Sequence, residues 1–344
     1  MGCQITDLLL RKEIDIRHLE GKVVAIDAHL FLYQFLTTIR QPDGSLLTDS
    51  KGNITSHLTG LFSRSIKLME HTLKQVYVFD GKPPKLKEKT REGRKELKIK
   101  AQQDYEKAAK EEDLENMKKF AARTSRLTTE MIIEAKKLII ALGLPVVEAP
   151  SEGEAQAAHM VKNNDAYCIA SQDSDALLFG APKLVRNLSL LGKKKVANTL
   201  SYETYAPELI DLAENLRNLQ IDQHQLIALS MLVGTDFNPG GIKGVGPKNA
   251  LKLVKKFGSD FDSLFKEVKW TETFSMPWTE VYATINEMPV IDKYPLIWSD
   301  INHEDVLKLL VDDHDFSEER VKKSLERFEQ EKKLKSQKGL SDFF

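Results

Sequence analysis

With 344 residues the chain exceeds a typical single domain, yet one α/β core carrying a large insertion remains within its means. Its 41% hydrophobic and 29% charged residues exclude a disordered chain, and no run of about 18 apolar residues offers a membrane span. A net charge of −1 does not announce a nucleic-acid binder, so local patches must carry that argument, and the two cysteines, Cys3 and Cys168, lack the spacing of a disulfide framework or a zinc site.

The first residues, MGCQITDLLL, have no basic stretch before their short apolar run, so no secretory signal is expected. Gly2 and Cys3 fit a lipidation pattern, but no polybasic segment follows to supply the second signal that stable membrane attachment needs. A reducing, cytoplasmic placement is expected. The short apolar runs at 23–27 (VVAID), 75–80 (QVYVFD), 144–149 (LPVVEA) and 166–171 (AYCIAS) predict strands buried on both faces. Helical periodicity at 28–40, 57–74, 128–142 and 152–163 separates them, which is the alternation of a parallel sheet. The expected fold class is therefore α/β, a twisted, mostly parallel sheet flanked by helices.

Residues 82–126 interrupt this core with a charge-dense helical insertion whose apolar positions are sparse. The pieces 183–190 and 194–200 predict a hairpin around Gly192, and the chain is expected to be mostly helical from 223 onward. One domain is expected over 1–332, with 333–344 as a flexible tail.

Chemistry is suggested by where the acids fall. Asp27 ends the first predicted strand, Asp80 ends the second, and Asp173 and Asp175 follow the fourth. Glu152 and Glu154 follow the third, and Asp236 lies in GTDFN after the helix at 223–233. The carboxyl edge of a parallel sheet is where ligands bind. Seven carboxylates gathered there repel one another unless cations lie among them, and an all-oxygen set suits Mg2+, with Mn2+ as a substitute. Each acid also has a plainer reading. Ser151 with Glu154 forms a capping box, Asp173 can cap a helix, and Asp80-Gly81 is a common turn pair.

From Lys82 to Lys100 nine Lys or Arg face three Glu. Lys87 and Arg94 are seven apart, on one face of any helix that has begun by then, and could meet a phosphate beside the acids; the alternative is a solvated charged helix. In GIKGVGPKNA, Gly244 and Gly246 precede Pro247, a preferred first helical residue, while Lys243 and Lys248 add positive charge. Such a helix start can hold a phosphate without reading sequence, and a plain glycine-rich connector is the alternative. In the lysine-rich tail, Gln337, Leu340, Phe343 and Phe344 would form an aromatic plug for a partner's apolar pocket, or else pack back on their own domain.

Together VVAIDA, YVFDGKPP, EAPSEGEAQAA, SQDSDALLFG, GTDFNPGGIKGVGPKNA and QKGLSDFF resemble the flap endonucleases of the XPG-type nuclease superfamily, in order and over nearly the whole chain. The absence of a long basic extension after Phe344 makes the sequence similar to archaeal members. The resemblance implies a PIN-like nuclease core, a helical arch over the active site at about 82–126 and a helix-hairpin-helix at about 223–258. It groups Asp27, Asp80, Glu152 and Glu154 around one metal ion and Asp173, Asp175 and Asp236 around a second, several of them through water. It implies that Lys87 and Arg94 clamp the scissile phosphate, that Tyr33 stacks near it, and that Lys243, Gly244, Gly246 and Lys248 hold duplex DNA. It also implies a monomer that docks on a sliding clamp (PCNA) through the tail. The expected activity is cleavage of 5′ flaps, with 5′-3′ exonuclease activity, by two-metal catalysis. The rivals are a related exonuclease, a junction resolvase, and a clamp-associated DNA-binding module without turnover.

Overall fold

The computed structural model describes residues 3–87, 90, 93, 96–97, 99–101, 103–104, 125–188, 192–195 and 202–341. Strand β1 (Lys12–Glu13) precedes β2 (Val23–Asp27), and helices α1 (Ala28–Thr38) and α2 (Ser56–Glu70) lead to β3 (Lys74–Phe79). After the insertion come α3 (Thr129–Ala141), β4 (Val146–Glu148), α4 (Gly153–Lys162), β5 (Cys168–Ala170), α5 (Asp175–Leu178) and β6 (Lys183–Arg186). Next are β7 (Gly192–Lys195), β8 (Tyr202–Tyr205), β9 (Glu208–Asp211), α6 (Leu212–Leu219), α7 (Gln223–Val233) and α8 (Pro247–Phe257). Among the described residues five α-helices follow: α9 (Phe261–Glu267), α10 (Trp270–Thr273), α11 (Trp278–Asn286), α12 (His303–Leu307) and α13 (Glu318–Ser341), with a π-helical turn, Lys308–Asp312, after α12.

Seven strands form one sheet in the order β1-β9-β6-β5-β2-β3-β4. The run from β4 to β6 is parallel throughout, while β9 is antiparallel to β6 and to β1. Side chains alternate across it. Ala25, Val76, Val78 and Ile169 face one apolar core with α4, α5, α7 and α8, whereas Val24, Ile26, Phe79 and Ala170 face another with α1, α2, α3 and the end of the chain. Covering on both faces explains why these strands read as continuous apolar runs.

The chain leaves β2 toward α1 and α2 on one face, and leaves β5 toward α5 on the other. Because β2 and β5 are neighbours, their carboxyl ends form the switch point, whose crevice is where α/β sheets place ligands.

Three expectations need correction. The apolar piece at 183–186 joins the main sheet, and the hairpin is instead β7 with β8, pairing Gly192 with Tyr205 and Lys195 with Tyr202. Burial of Leu184 and Val185 against β5 outweighs any local turn preference. The stretch from 333, expected to lack regular structure, continues α13 to Ser341, as the helix-forming Lys, Leu and Gln residues of that segment favour. Lys87 lies in a 3-10 turn, Lys85–Lys87, whose Lys87 amide donates to the carbonyl of Pro84 at 3.0 Å, because Pro83 and Pro84 delay any helix. Trp270 and Trp278 pack on Phe265, with ring centroids 5.1 and 4.8 Å away, and the Trp298 indole donates to the Gln75 carbonyl at 2.8 Å. All three tryptophans therefore serve packing.

A second cluster of titratable groups ties the chain's end to the core. His314 bridges Asp49 at 3.1 Å and Glu134 at 3.3 Å, and Glu134 also reaches His57 at 3.3 Å. Burial works against the Asp49 carboxylate, but donors from the Asn53 side chain and amide, from His314 and from the Lys51 amide prevail and hold it at about 2.

Candidate active site

Each acid reaches the crevice by a local device. The Asp27 carboxylate caps α1, accepting from the Leu30 amide at 2.9 Å. Asp80 follows β3 and accepts from the Gly153 amide at 2.7 Å, at the first turn of α4. A methyl group on Gly153 would lie 2.8 Å from that Asp80 oxygen, so glycine is what lets acid and helix meet. Gly81 has the same duty. Its amide donates to the Ser151 carbonyl at 2.7 Å, and a Cβ there would strike the Ala149 carbonyl at 2.1 Å. Glu152 stands at the N-cap of α4 and Glu154 in its first turn, Asp175 opens α5, and Asp236 lies beyond α7.

Each of the seven acids lies within electrostatic reach of at least two others. Loss of solvent pushes Asp27 up to about 7, with Asp80 and Asp173 adding to the rise. Asp175 also reaches about 7, by burial first and then by repulsion from Asp173 and Asp236, against the Cys3 amide that stabilises its charge at 2.6 Å. Glu154 is raised well above the ordinary carboxylate range by burial and by Asp173, Asp27 and Asp175. Glu152 is raised by burial, with Lys87 opposing and Asp80 and Asp236 adding. The structure thus brings all seven predicted acids to one crevice.

Among the described residues, Lys87 is the cation set beside them. Its ammonium touches Glu152 and lies 3.6 Å from Asp236, 5.5 Å from the centre of the Phe237 ring. Burial opposes its charge, but Glu152, Asp236 and Glu154 outweigh that cost and hold its pKa above the usual lysine value. Arg94 lies outside the described residues. Tyr33 is half-buried on α1, the helix that Asp27 caps.

Some contributors carried no signal in the sequence. The Ser171 hydroxyl sits between Glu154 at 3.0 Å and Asp27 at 3.4 Å, linking an acid of α4 to one at the end of β2. The Cys3 amide reaches Asp175 from 172 residues away, and the Thr90 hydroxyl donates to the Asp236 carbonyl at 2.6 Å. His29 is kept neutral by burial, and its Nδ1 accepts from the Asp80 amide at 3.1 Å, so its approach to the Asp80 carboxylate is not an ion pair.

The donor set is all oxygen, with Asp27, Glu152, Glu154 and Asp175 desolvated by burial, which suits hard divalent ions. Among the described residues, no three acidic, histidine or cysteine side chains converge closely enough to hold an ion by themselves. An ion held here would complete its shell with water, as Mg2+ ordinarily does.

Some distance along the chain, α7 and α8 flank the glycine turn. Gly241 and Gly244 have positive φ, +57 and +82, and a Cβ on Gly241 would lie 2.3 Å from the Val233 backbone. Lys243, Gly244, Gly246 and Lys248 are exposed, Gly246 caps α8 without a side-chain bond, and Pro247 opens it. The first amides of such a helix have no intrahelical acceptor and can receive a phosphate. The side chains of Gln337 and Leu340, and all of Phe343 and Phe344, lie outside the described residues.

Comparison with known proteins follows the same lines. The XPG N-terminal domain matches residues 4–101 and the XPG I-region residues 143–236. A flap endonuclease of Thermococcus onnurineus is 49% identical over 348 residues, covering 100% of this chain and 99% of the relative. The structure of a flap endonuclease from Methanococcus jannaschii matches with a TM-score of 0.74 and 43% identity, over 96% of this chain and 98% of that one. The catalytic core of Rad2 in complex with a DNA substrate matches with a TM-score of 0.70 and 25% identity, over 95% and 100% of the two chains.

Proposed function

Because the chain belongs to the flap endonuclease family, a group of nucleases that hydrolyse DNA, we propose that its acid crevice holds two divalent ions, Mg2+ or Mn2+, and cuts 5′ flaps near the junction of single strand and duplex. The observation that carries this reading is the gathering of seven carboxylates at the switch point of the sheet, where burial and neighbouring charge raise Asp27, Glu152, Glu154 and Asp175. Bound ions supply an activated water and stabilise the leaving oxygen of a phosphodiester. Asp27, Asp80, Glu152, Glu154, Asp173, Asp175 and Asp236 are the residues to hold them. Ser171 keeps Asp27 and Glu154 in register, and Lys87 relieves the repulsion between Glu152 and Asp236 until a DNA phosphate takes its ammonium. Lys87 then neutralises charge that develops on the scissile phosphate, with Arg94 as its companion and Tyr33 stacking nearby.

The exposed lysines Lys243 and Lys248 and the turn at Gly244 and Gly246 grip the duplex backbone. Gln337, Leu340, Phe343 and Phe344 dock the protein, as a monomer, on a sliding clamp. Exonuclease action from a free 5′ end follows from the same site. Turnover with Mg2+ on flapped, nicked and four-way substrates tests the reading. It expects the flap to be cut fastest, whereas fastest cutting of the four-way junction would assign a resolvase and binding without turnover a non-catalytic module.

The acids also set a pH dependence. With Asp27 and Asp175 raised from 3.8 to about 7 in the folded protein, the fold binds protons more tightly than the unfolded chain does. Their contribution to stability is complete below about 4 and is lost as pH rises through about 7. Mg2+ takes over where the protons leave. The melting temperature is therefore expected to rise by several degrees with Mg2+ at pH 8 and hardly at all at pH 5, read by thermal unfolding. Equal shifts at both pH values would place the metal elsewhere.

A further inference from the structure

At the amino edge of the sheet, opposite the acids, a cavity of about 350 Å³ opens where β2, β5 and β6 begin. Lys22 stands one residue before β2, Lys183 opens β6, and Lys162 ends α4. The Lys22 and Lys183 ammonium groups rest 3.8 and 4.4 Å from the centre of the Tyr167 ring, and the Tyr167 hydroxyl pairs with His18 at 3.0 Å. Lys162 packs over Gly180, whose missing side chain leaves it room. Among the described residues none of the three lysines pairs with a carboxylate. The single acid in the wall, Asp165, is taken by the Tyr294 hydroxyl, so three positive charges face one negative charge, a net +2.

Cation–π contact parks an ammonium without neutralising it. Two ammonium groups parked in this way, with that of Lys162 as a third, call for a compact ligand with at least two negative charges. A phosphate meets that need, and a lone carboxylate does not. The volume exceeds that of a single phosphate and falls in the range of small-molecule sites. Lys22 and Asp27 lie at opposite ends of β2, roughly 16 Å apart at the rise of a strand, so a ligand here would not touch the acids.

We propose that this cavity is a binding site for a small phosphate-bearing anion, held by the ammonium groups of Lys22, Lys162 and Lys183. Calorimetric titration of pyrophosphate into the full, metal-free chain tests it, with flapped duplex DNA as a second arm. One pyrophosphate is expected per chain, with affinity falling roughly tenfold or more in Lys22→Met/Lys183→Met, as loss of charge-assisted bonds implies. The exposed Lys162→Met, which leaves the sheet untouched, is expected to weaken binding several-fold, and Lys243→Met/Lys248→Met to leave it unchanged. Unchanged affinity in both Lys22→Met/Lys183→Met and Lys162→Met would overturn the proposal, as would loss of binding in Lys243→Met/Lys248→Met. So would weakened duplex binding in Lys22→Met/Lys183→Met without any pyrophosphate uptake, since the lysines would then belong to a DNA backbone contact. None of these readouts depends on flap cleavage, so they stand apart from the nuclease reading.

Discussion

Asp175→Asn is expected to lower flap cleavage with Mg2+ by roughly a thousand-fold, about 4 kcal/mol of barrier, while leaving the fold intact. The substitution separates chemistry from structure. The asparagine side chain keeps an oxygen to accept from the Cys3 amide, so the tie that spans 172 residues survives. It also removes a charge that burial and Asp173 already disfavour. Thermal stability without metal is therefore expected to hold or rise at neutral pH, as the rate collapses. Single-turnover cleavage and a melting curve on the same preparation decide it. A rate within a few-fold of the unsubstituted protein would remove Asp175 from the catalytic set, and a collapsed fold would make its role structural.

Lys87→Ala is expected to reduce cleavage roughly a hundred-fold. Here the metal-free state changes too. With the ammonium gone, Glu152 and Asp236 lose the cation now set between them, and Glu152 is pushed still further above the ordinary carboxylate range. The metal-free variant is thus expected to melt lower at pH 8, and Mg2+ to restore more of its stability than in the unsubstituted chain. An unchanged rate with lowered metal-free stability would confine Lys87 to a counter-ion's part.

What the sequence revealed followed from burial. β2 and β3 were legible because both faces of the sheet are covered, so nearly every residue in them is apolar, and the acids at their ends stood out as interruptions. β1 and β9 were not. Lys12–Glu13 is two charged residues, and Glu208–Asp211 has only Leu209 and Ile210 between two acids, so neither resembles a buried strand. The hairpin was misplaced because Leu184 and Val185 are apolar enough for either partner, and only the neighbouring β5 decides.

The site divides in the same way. Asp27, Asp80, Asp173 and Asp175 follow strands, where topology alone predicts convergence. Ser171, the Cys3 amide and Thr90 act through contacts set by tertiary folding, which no local pattern encodes. Lys87 was found for the right charge by an uncertain route, since the two prolines before it replace the assumed helix with a tight turn.

The claim on which the rest depends is that these seven acids hold paired metal ions against a DNA strand. Anomalous diffraction from crystals of the protein with Mn2+ and a flapped duplex addresses it directly. Two manganese peaks roughly 4 Å apart are predicted in the crevice, bound by these carboxylates directly or through water, with the scissile phosphate beside Lys87. Manganese absent from the crevice, or bound only at other surfaces while the DNA is cut, would contradict it.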